Sequence, residues 1–383
     1  MSGTLEIHAR YATPQVGTVG TGELFSISSS MQRKTFYAQG LHWVFFYNQN
    51  KMWYSVSSDG TSWATPIFLV DNSSAWGDLF SIHFDGTFLH YVRATAPVTP
   101  SQGTWYRRGI PNSDGTISWT AEEQKIPELS DVYTPFPIIT LDSEGYPWVG
   151  CYSEFGPQSL ESIPTACKSA QRDGTWTSNA SGSPYYLNPS RKYTGVILVP
   201  LTLGKVYAIY FRSFSKIQNP YLVTTPIYGK LWDGASWGVE ENVSTSHVSN
   251  EAFNMISAIA DGDDVHVTFL KDLTYEIIHL KRTVIGWSQE EVVHTATAKS
   301  SPVLALARGQ RIPYCFWIQN NSLLYKKYVS GKWTDALVLA LEANSITENE
   351  KITCSYEDYG SIIGVVWFLD STNLIRYGYV RTS

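Results

Sequence analysis

Ser57-Ser58-Asp59-Gly60-Thr61-Ser62-Trp63 is a short polar turn closed by a tryptophan, and recognisable copies of it recur along the chain. Three copies keep an Asp-Gly pair followed by a tryptophan, and two have lost the aspartate: Asp114-Gly115 with Trp119, Asp173-Gly174 with Trp176, Asp233-Gly234 with Trp237, Gly286-Trp287 and Gly331 with Trp333. The successive tryptophans are 46 to 61 residues apart. This spacing is typical of propeller blades, so it predicts one repetitive domain over residues 1–383.

A second marker, a glycine directly before a strongly apolar segment, occurs seven times, at Gly40, Gly86, Gly145, Gly204, Gly262, Gly309 and Gly360. Near-continuous apolar runs such as Leu41 to Tyr47 are typical of strands buried on both faces. A shorter candidate strand precedes each glycine, and an alternating strand follows the apolar run and leads into the Asp-Gly turn. The chain is therefore predicted to be all-β, a seven-bladed β-propeller of four-stranded antiparallel blades.

The seventh unit lacks a fourth strand, because its third strand, Leu374 to Val380, is followed by only three residues. Near the other end of the chain, Thr4 to Tyr11 alternates apolar and polar residues, as a half-buried strand does. Pairing this N-terminal strand with the last blade would remove two exposed sheet edges. We predict that residues 4–11 complete the last blade and that residues 14–30 form an irregular lead into the first.

The composition limits the classes of function. Aromatic residues make up 14% of the chain and charged residues only 16%, which favours strands over long helices. The net charge of -6 provides no basic surface for phosphate backbones and argues against nucleic acid as a partner. No run of eighteen apolar residues is present, so no transmembrane segment is predicted, and the first residues show no signal peptide.

Cysteine and histidine spacing does not indicate a metal site or a cofactor, and we assign neither. Cys151 and Cys167 fall on neighbouring predicted strands, so a cross-strand disulfide and two buried thiols are both open. Cys315 and Cys354 leave the same two alternatives. Three histidines occupy equivalent places in the apolar strands of their blades and are expected to be core residues: His42, His90 and His266.

The repeated turn resembles the Asp-box, or BNR-repeat, whose pattern is Ser-x-Asp-x-Gly-x-Thr-Trp. Ser57 to Trp63 keeps the serine, aspartate, glycine and tryptophan but is one residue shorter. The resemblance implies the propeller superfamily that includes sialidases and related glycan-active proteins. That family's Arg-Ile-Pro motif stands near the start of the first blade. Here Arg311-Ile312-Pro313 lies in the sixth unit, so we interpret it as coincidence and carry over no catalytic residue.

The turn also has a physical explanation of its own. An aspartate ahead of a glycine accepts hydrogen bonds from the amides of the turn, the glycine adopts a positive φ, and the tryptophan covers the seam against the next blade. One role repeated in several blades is structural. We therefore predict scaffold roles for Ser57, Asp59, Gly60, Trp63, Asp114, Gly115, Trp119, Asp173, Gly174, Trp176, Asp233, Gly234 and Trp237.

Function in a propeller is expected where the blades differ. The loops between second and third strands open on the face opposite the repeated turns, and three neighbouring ones are long: residues 94–103, 154–165 and 213–221. Arginine and carboxylate side chains at strand ends on that face, with aromatic rings, suit a sugar. The predicted ligand-binding residues are Arg93, Glu154 and Arg212, and the catalytic candidates, should the protein be an enzyme, are Glu154, Asp272 and Asp370.

These observations predict a binding or adhesion module for a glycan or surface glycoprotein, secreted or on a cell or virion surface. Asn-x-Ser sequons at Asn72, Asn179, Asn242 and Asn320 fit an exterior protein. The alternatives are a glycan-active hydrolase or lyase on the same face, and a protein-docking scaffold that needs no sugar. A buried carboxylate or histidine with a perturbed pKa in a deep central funnel would favour the enzyme.

Overall fold

The computed structural model of the protein describes residues 15–23, 26–27, 29–71, 80–95, 103–129, 134, 136–154, 162–178, 183–188, 195–211, 226–246, 248, 256–271, 274–296, 300–342 and 352–383. In this part of the chain, seven antiparallel sheets form a seven-bladed β-propeller, and one 3-10 turn, Pro127–Leu129, is the only helical element. The prediction of an all-β propeller with seven blades is confirmed.

Strands are numbered in chain order, and the first of them, β1 (Val16–Thr21), belongs to the last blade. Blades 1 to 3 contain β2 (Thr35–Ala38), β3 (Leu41–Asn48), β4 (Lys51–Ser57), β5 (Ile67–Asp71), β6 (Phe80–Phe84), β7 (Leu89–Ala94), β8 (Thr104–Pro111), β9 (Ile117–Trp119), β10 (Gln124–Lys125), β11 (Ile138–Leu141), β12 (Pro147–Glu154), β13 (Ser162–Lys168) and β14 (Tyr185–Tyr186).

Blades 4 to 7 contain β15 (Gly195–Pro200), β16 (Val206–Phe211), β17 (Ile227–Trp232), β18 (Glu241–Ser244), β19 (Ile256–Asp261), β20 (Asp264–Leu270), β21 (Glu276–Thr283), β22 (Gly286–Trp287), β23 (Glu291–Thr295), β24 (Val303–Ala307), β25 (Ile312–Gln319), β26 (Ser322–Val329), β27 (Lys332–Trp333), β28 (Leu337–Leu341), β29 (Ile352–Cys354), β30 (Ile362–Leu369) and β31 (Leu374–Arg381).

The first strand of each blade lies innermost, because the first strands of adjacent blades contact one another around the ring. The second strand is the apolar one that follows the glycine marker, and all eight residues of β30 are buried. Large aromatic side chains on second strands fill the seams between blades, including Trp43, Trp148, Trp317 and Trp367, each less than 2% exposed. Burial of such rings stabilises the contacts between blades.

The ring is closed by β1, which pairs antiparallel with β31 from Val16–Gly378 to Thr21–Leu374. An N-terminal strand therefore completes the last blade, whereas the predicted strand at residues 4–11 lies outside the described residues. The expectation that residues 14–30 are irregular is wrong for β1. Its glycines weaken the strand pattern, but a Cβ on Gly17 would lie 2.6 Å from the Gly60 carbonyl oxygen, so the closing strand needs glycine there.

The repeated turns have the hydrogen bonds expected of them. Asp59 Oδ1 accepts from the amides of Thr61 and Ser62, both at 2.7 Å, and Ser57 Oγ accepts from the Gly60 amide at 2.9 Å. The amides of Ser62 and Thr61 hold the pKa of Asp59 well below its usual range. Equivalent amide-to-aspartate bonds and positive-φ glycines occur at Asp114-Gly115, Asp173-Gly174 and Asp233-Gly234.

The tryptophans of these turns pack against the preceding blade, not the next one as predicted. Trp176 in blade 3 meets Tyr106 of blade 2, with ring centroids 5.7 Å apart, and Trp287 in blade 5 meets Tyr207 of blade 4 at the same distance. The glycine faces the same way, since a Cβ on Gly174 would lie 2.2 Å from the Tyr106 ring. Each turn is thus fastened to the preceding blade around the ring, and for Trp63 of blade 1 that is blade 7, through Tyr377.

The segment Ser29–Lys34, between β1 and β2, runs through the centre of the ring. Gln32 Nε2 donates to the carbonyl of Pro137 at 3.0 Å, and Gln32 O accepts from the Thr353 hydroxyl at 2.6 Å. Arg33 Nη1 donates to Leu304 O at 2.8 Å, and Nη2 donates to Ala258 O at 3.2 Å. These partners belong to blades 3, 5, 6 and 7, so the segment ties together blades that are remote in sequence.

All four cysteines are buried and free, which decides between the two alternatives for each pair. Cys151 lies opposite Thr165 and Cys167 opposite Val149, so the two thiols are on adjacent strands without facing each other directly. Burial raises the pKa of Cys151 to about 12.

The expectation that three histidines are core residues is confirmed, because His42, His90 and His266 are at most 2% exposed. Each ring is hydrogen-bonded to another ring, and the Nδ1 of His42 lies 2.7 Å from the Tyr377 hydroxyl.

Candidate functional site

The propeller has two faces, which carry different turns and loops of each blade. Turns between first and second strands share one face with the repeated Asp-Gly turns, and we call this the box face. Loops between second and third strands open on the opposite face, which we call the loop face. The segments 96–102, 155–161 and 212–225, which contain most of the three long loops predicted to surround the ligand, lie outside the described residues.

On the loop face, the predicted ligand-binding residue Arg93 is buried and already engaged. Its Nε and Nη2 donate to the two carboxylate oxygens of Glu123 at 2.7 and 2.5 Å, and its guanidinium lies 5.6 Å from the centre of the Trp105 ring. The Tyr91 hydroxyl donates to the same carboxylate at 2.8 Å. A ligand carboxylate at Arg93 would therefore have to displace Glu123 from a bidentate pair.

The other predicted loop-face residues are only partly described. Glu154 ends β12, where its backbone pairs in register with Ser162. Arg212 and Asp272 lie outside the described residues, and Asp370 lies in the turn between β30 and β31. Ligand binding at Arg93, Glu154 and Arg212, and catalysis by Glu154, Asp272 or Asp370, stay predictions.

On the box face, the described residues form a concavity of about 700 Å³ at the mouth of the ring. We call the turns between first and second strands the inner turns. Side chains from the inner turns of blades 2 to 7 line the concavity, which we call the axial funnel. Its volume lies within the range of ligand sites in proteins. The funnel lies on the face opposite the predicted one, because the first strands of six blades end around the axis there.

Two arginines from one turn of blade 6 extend over the funnel toward the neighbouring blades on either side. Arg308 Nη1 lies 3.1 Å from Oε1 of Glu357 in blade 7, and Arg311 Nε lies 2.7 Å from Oδ1 of Asp261 in blade 5. The side chains of Arg308 and Arg311 are 72% and 68% exposed, so most of their N–H groups stay available to a ligand.

Blade 2 contributes a fixed, ionised carboxylate. Asp85 Oδ1 accepts from the amides of Thr87 and Phe88 at 2.8 and 2.6 Å, and Oδ2 lies 3.3 Å from Nε2 of His90. Burial opposes ionisation, but these hydrogen bonds outweigh it and lower the pKa of Asp85 to about 2. Asp85 is therefore charged at any ordinary pH.

The histidine below this carboxylate faces the funnel with unused hydrogen-bonding capacity. His83 is half-buried, its ring centroid is 6.1 Å from that of Tyr356, and neither ring nitrogen has a partner among the described residues. Burial and the neighbouring His90 lower the pKa of His83 to about 3, so its imidazole is neutral. Beneath the Tyr356 ring lies the Arg33 guanidinium, 5.5 Å from its centre, so the central segment lies directly behind the funnel.

The pKa of Glu357, a second carboxylate of the funnel, is shifted in the opposite direction from that of Asp85. Burial raises the pKa of Glu357, and the adjacent Asp358 adds to this, while the nearby Arg308 partly offsets the increase. The funnel thus combines Asp85, whose pKa is lowered, with Glu357, whose pKa is raised.

The sequence carries a signal for this site. Acidic residues stand one to three positions before four of the seven glycine markers, at Asp85, Asp142, Asp261 and Glu357. Each marker by itself indicates only the fold, because the acidic residues beside the markers converge only when the inner turns meet at the axis. Histidines, cysteines and carboxylates of the described residues form no cluster able to hold a metal ion. None of the described helices is long and apolar enough to span a membrane.

Neither a protein-family model nor a curated protein sequence matches the chain. Similarity appears among solved structures. An ulvan lyase of polysaccharide lyase family PL25, bound to -[GlcA(1-4)Rha3S]-, has a TM-score of 0.59 at 8% identity, over 96% of this chain and 95% of that chain. The chain shares its fold with this lyase.

Two further structures support the same conclusion. The polysaccharide lyase Uly1 has a TM-score of 0.57 at 9% identity, over 96% of this chain and 92% of that chain. The α-L-arabinofuranosidase Arb93A from Fusarium graminearum has a TM-score of 0.51 at 10% identity, over 96% and 98%. At such identities the similarity establishes the propeller fold and assigns no residue a function.

Proposed function

We propose that the protein is a glycan-binding propeller whose ligand occupies the axial funnel on the box face. The observation that carries the proposal is the convergence, from several blades, of exposed guanidinium groups, carboxylates and one imidazole that has no partner among the described residues, in a single concavity of about 700 Å³. Sugar hydroxyls need such mixed donors and acceptors, and the rings of Phe88 and Tyr356 supply apolar surface beside them. The glycan-active proteins that share the fold are consistent with this function.

The finer parts of the proposal concern family and location. We propose that residues 1–383 form one domain of the Asp-box superfamily, because four of its turns share the aspartate-to-amide bonds and positive-φ glycines. Secretion or display on a cell or virion surface, and a role in adhesion, are proposed from the kind of ligand that the funnel suits.

A glycan array followed by calorimetry tests the proposal. Wild type should bind at least one glycan above background, and Arg308→Ala should weaken that binding at least tenfold, because it removes the most exposed guanidinium of the funnel. Lys332→Ala is the matched control: it removes an exposed cation from the same blade and face, outside the funnel lining, and should leave affinity unchanged.

The same binding assay distinguishes a site on the box face from a site on the loop face. Arg93→Lys keeps a cation beside Glu123 but loses the bidentate contact on the loop face. Loss of binding in Arg93→Lys, with Arg308→Ala unaffected, would move the site to the loop face and refute the funnel. A complete absence of glycan binders would refute the proposed function itself.

A glycoside hydrolase is the second candidate, and the opposite pKa shifts of Asp85 and Glu357 favour it. Such enzymes use two carboxyl groups, an acid with a raised pKa and a second group that stays ionised. Release of reducing ends from the bound glycan, abolished in Glu357→Gln and Asp85→Asn, would show hydrolysis. Intact glycan after prolonged incubation with wild type would leave binding as the sole activity.

A further inference from the structure

Three of the four carboxylates that line the funnel have a cationic side chain beside them. Arg308 is paired with Glu357 and Arg311 with Asp261, so each guanidinium that faces the funnel already has a carboxylate beside it. Asp142 is fully buried and lies 3.2 Å from the ammonium group of Lys168. These pairs leave the funnel without a cation whose charge is unbalanced among the described residues.

Asp85 is the exception, because its partners are neutral. It accepts from two backbone amides and from His90, and burial lowers the pKa of His90, so this ring carries no charge at neutral pH. Arg108 stacks on the Phe88 ring at 4.3 Å and, in the described part of the chain, forms no ion pair with Asp85. Among the described residues, Asp85 is therefore the one funnel carboxylate without a cationic partner, and its side chain, 24% exposed, stands at the blade 2 side of the funnel.

His83, two residues before Asp85, supplies a hydrogen-bond donor and an acceptor that suit an uncharged ligand. A neutral imidazole presents one donor and one acceptor, and both are unused among the described residues. A hydroxyl group is also both donor and acceptor, so it matches either nitrogen. A carboxylate or sulfate only accepts, and it would meet the field of Asp85 as well.

We infer that the funnel selects uncharged glycans over carboxylated or sulfated ones, with His83 recognising hydroxyl groups and Asp85 repelling anions. The inference rests on the proposed function, since it names the ligand class of the same site. It separates this chain from the lyase of the same fold that is bound to -[GlcA(1-4)Rha3S]-.

The experiment compares matched pairs on a glycan array, in which the same neutral glycan also appears with a sulfate or uronate group. The strongest neutral glycan and its sulfated counterpart are then titrated into full-length protein. For wild type, the neutral member should bind at least tenfold more tightly. His83→Ala should weaken neutral binding at least tenfold, and His83→Gln, which keeps a donor and an acceptor, should recover part of it.

Asp85→Asn removes the charge and keeps an oxygen for the two amides, and we expect the affinity ratio between the two glycans to shrink at least fivefold. A measurement on wild type alone gives a second test: raising salt from about 0.02 to 0.5 M should shrink the same ratio, because screening weakens the repulsion.

A sulfated glycan that binds wild type as tightly as its neutral counterpart, or a ratio indifferent to both Asp85→Asn and salt, overturns the inference and leaves the proposed function standing. Binding of no glycan at all overturns both.

Discussion

We predict that Arg33, at the centre of the propeller, contributes strongly to the free energy of unfolding. Its guanidinium is 6% exposed and donates to Leu304 O, Ala258 O and Ser257 Oγ, at 2.8 to 3.2 Å. No carboxylate of the described residues forms an ion pair with it. Arg33→Met keeps much of the apolar volume but removes all of these donors, so the buried Ala258 oxygen loses a partner and the buried Leu304 oxygen keeps only the weak Cys354 thiol donor.

The size of the effect follows from those groups. Each stranded buried acceptor costs about 1–3 kcal/mol. Methionine recovers part of this, because an apolar side chain no longer requires a buried charge to be desolvated. The net expectation is a loss of about 3 kcal/mol in the free energy of unfolding. Arg311→Met is the control, since removing an exposed ion pair costs about 1 kcal/mol or less.

Urea unfolding followed by the fluorescence of the 14 tryptophans measures both variants. If Arg33→Met and Arg311→Met lower stability equally, the central segment is not a tie between blades and the reasoning fails. An unfolding curve for Arg33→Met with two steps, instead of one shifted transition, would show that the segment couples the blades rather than only stabilising them.

Three further predictions concern the turns, the buried histidines and ring closure. Gly174→Ala should lower the free energy of unfolding by about 3 kcal/mol, because a left-handed backbone costs about 1 kcal/mol and overlap with the buried Tyr106 ring about 2 kcal/mol. Gly331 has a similar φ but open space around it, so Gly331→Ala should cost only the backbone contribution of about 1 kcal/mol in the same urea assay. Burial and a nearby arginine lower the pKa of His42 to about 4, so the unfolded chain takes up the proton first and His42 by itself should reduce stability by about 3 kcal/mol between pH 6.5 and 4. His42→Asn should therefore make the loss of stability over this pH range smaller by that amount, and an unchanged loss would contradict the assignment. Deleting residues 1–21 should expose the edge of β31 and produce aggregates in size-exclusion chromatography, whereas deleting residues 1–14 should not.

The sequence by itself determined the repeat and therefore the fold. The turn at Ser57 to Trp63 and the glycine markers are local signals, because their hydrogen bonds and backbone angles involve residues within a few positions of one another. The apolar second strands are equally legible, since each is a contiguous run buried on both faces. Seven repetitions of the glycine marker and its apolar strand were enough to count the blades.

The site is decided by tertiary structure alone. Arg33 stands in the polar stretch Gln32-Arg33-Lys34, which reads as exposed, yet it donates to Leu304, 271 positions away. The funnel likewise joins Asp85 and Glu357, whose separation along the chain carries no signal of proximity. Closing a ring brings together the inner turns of blades that share no local contact, so which of their polar residues face one another depends on the closed ring and not on any one repeat.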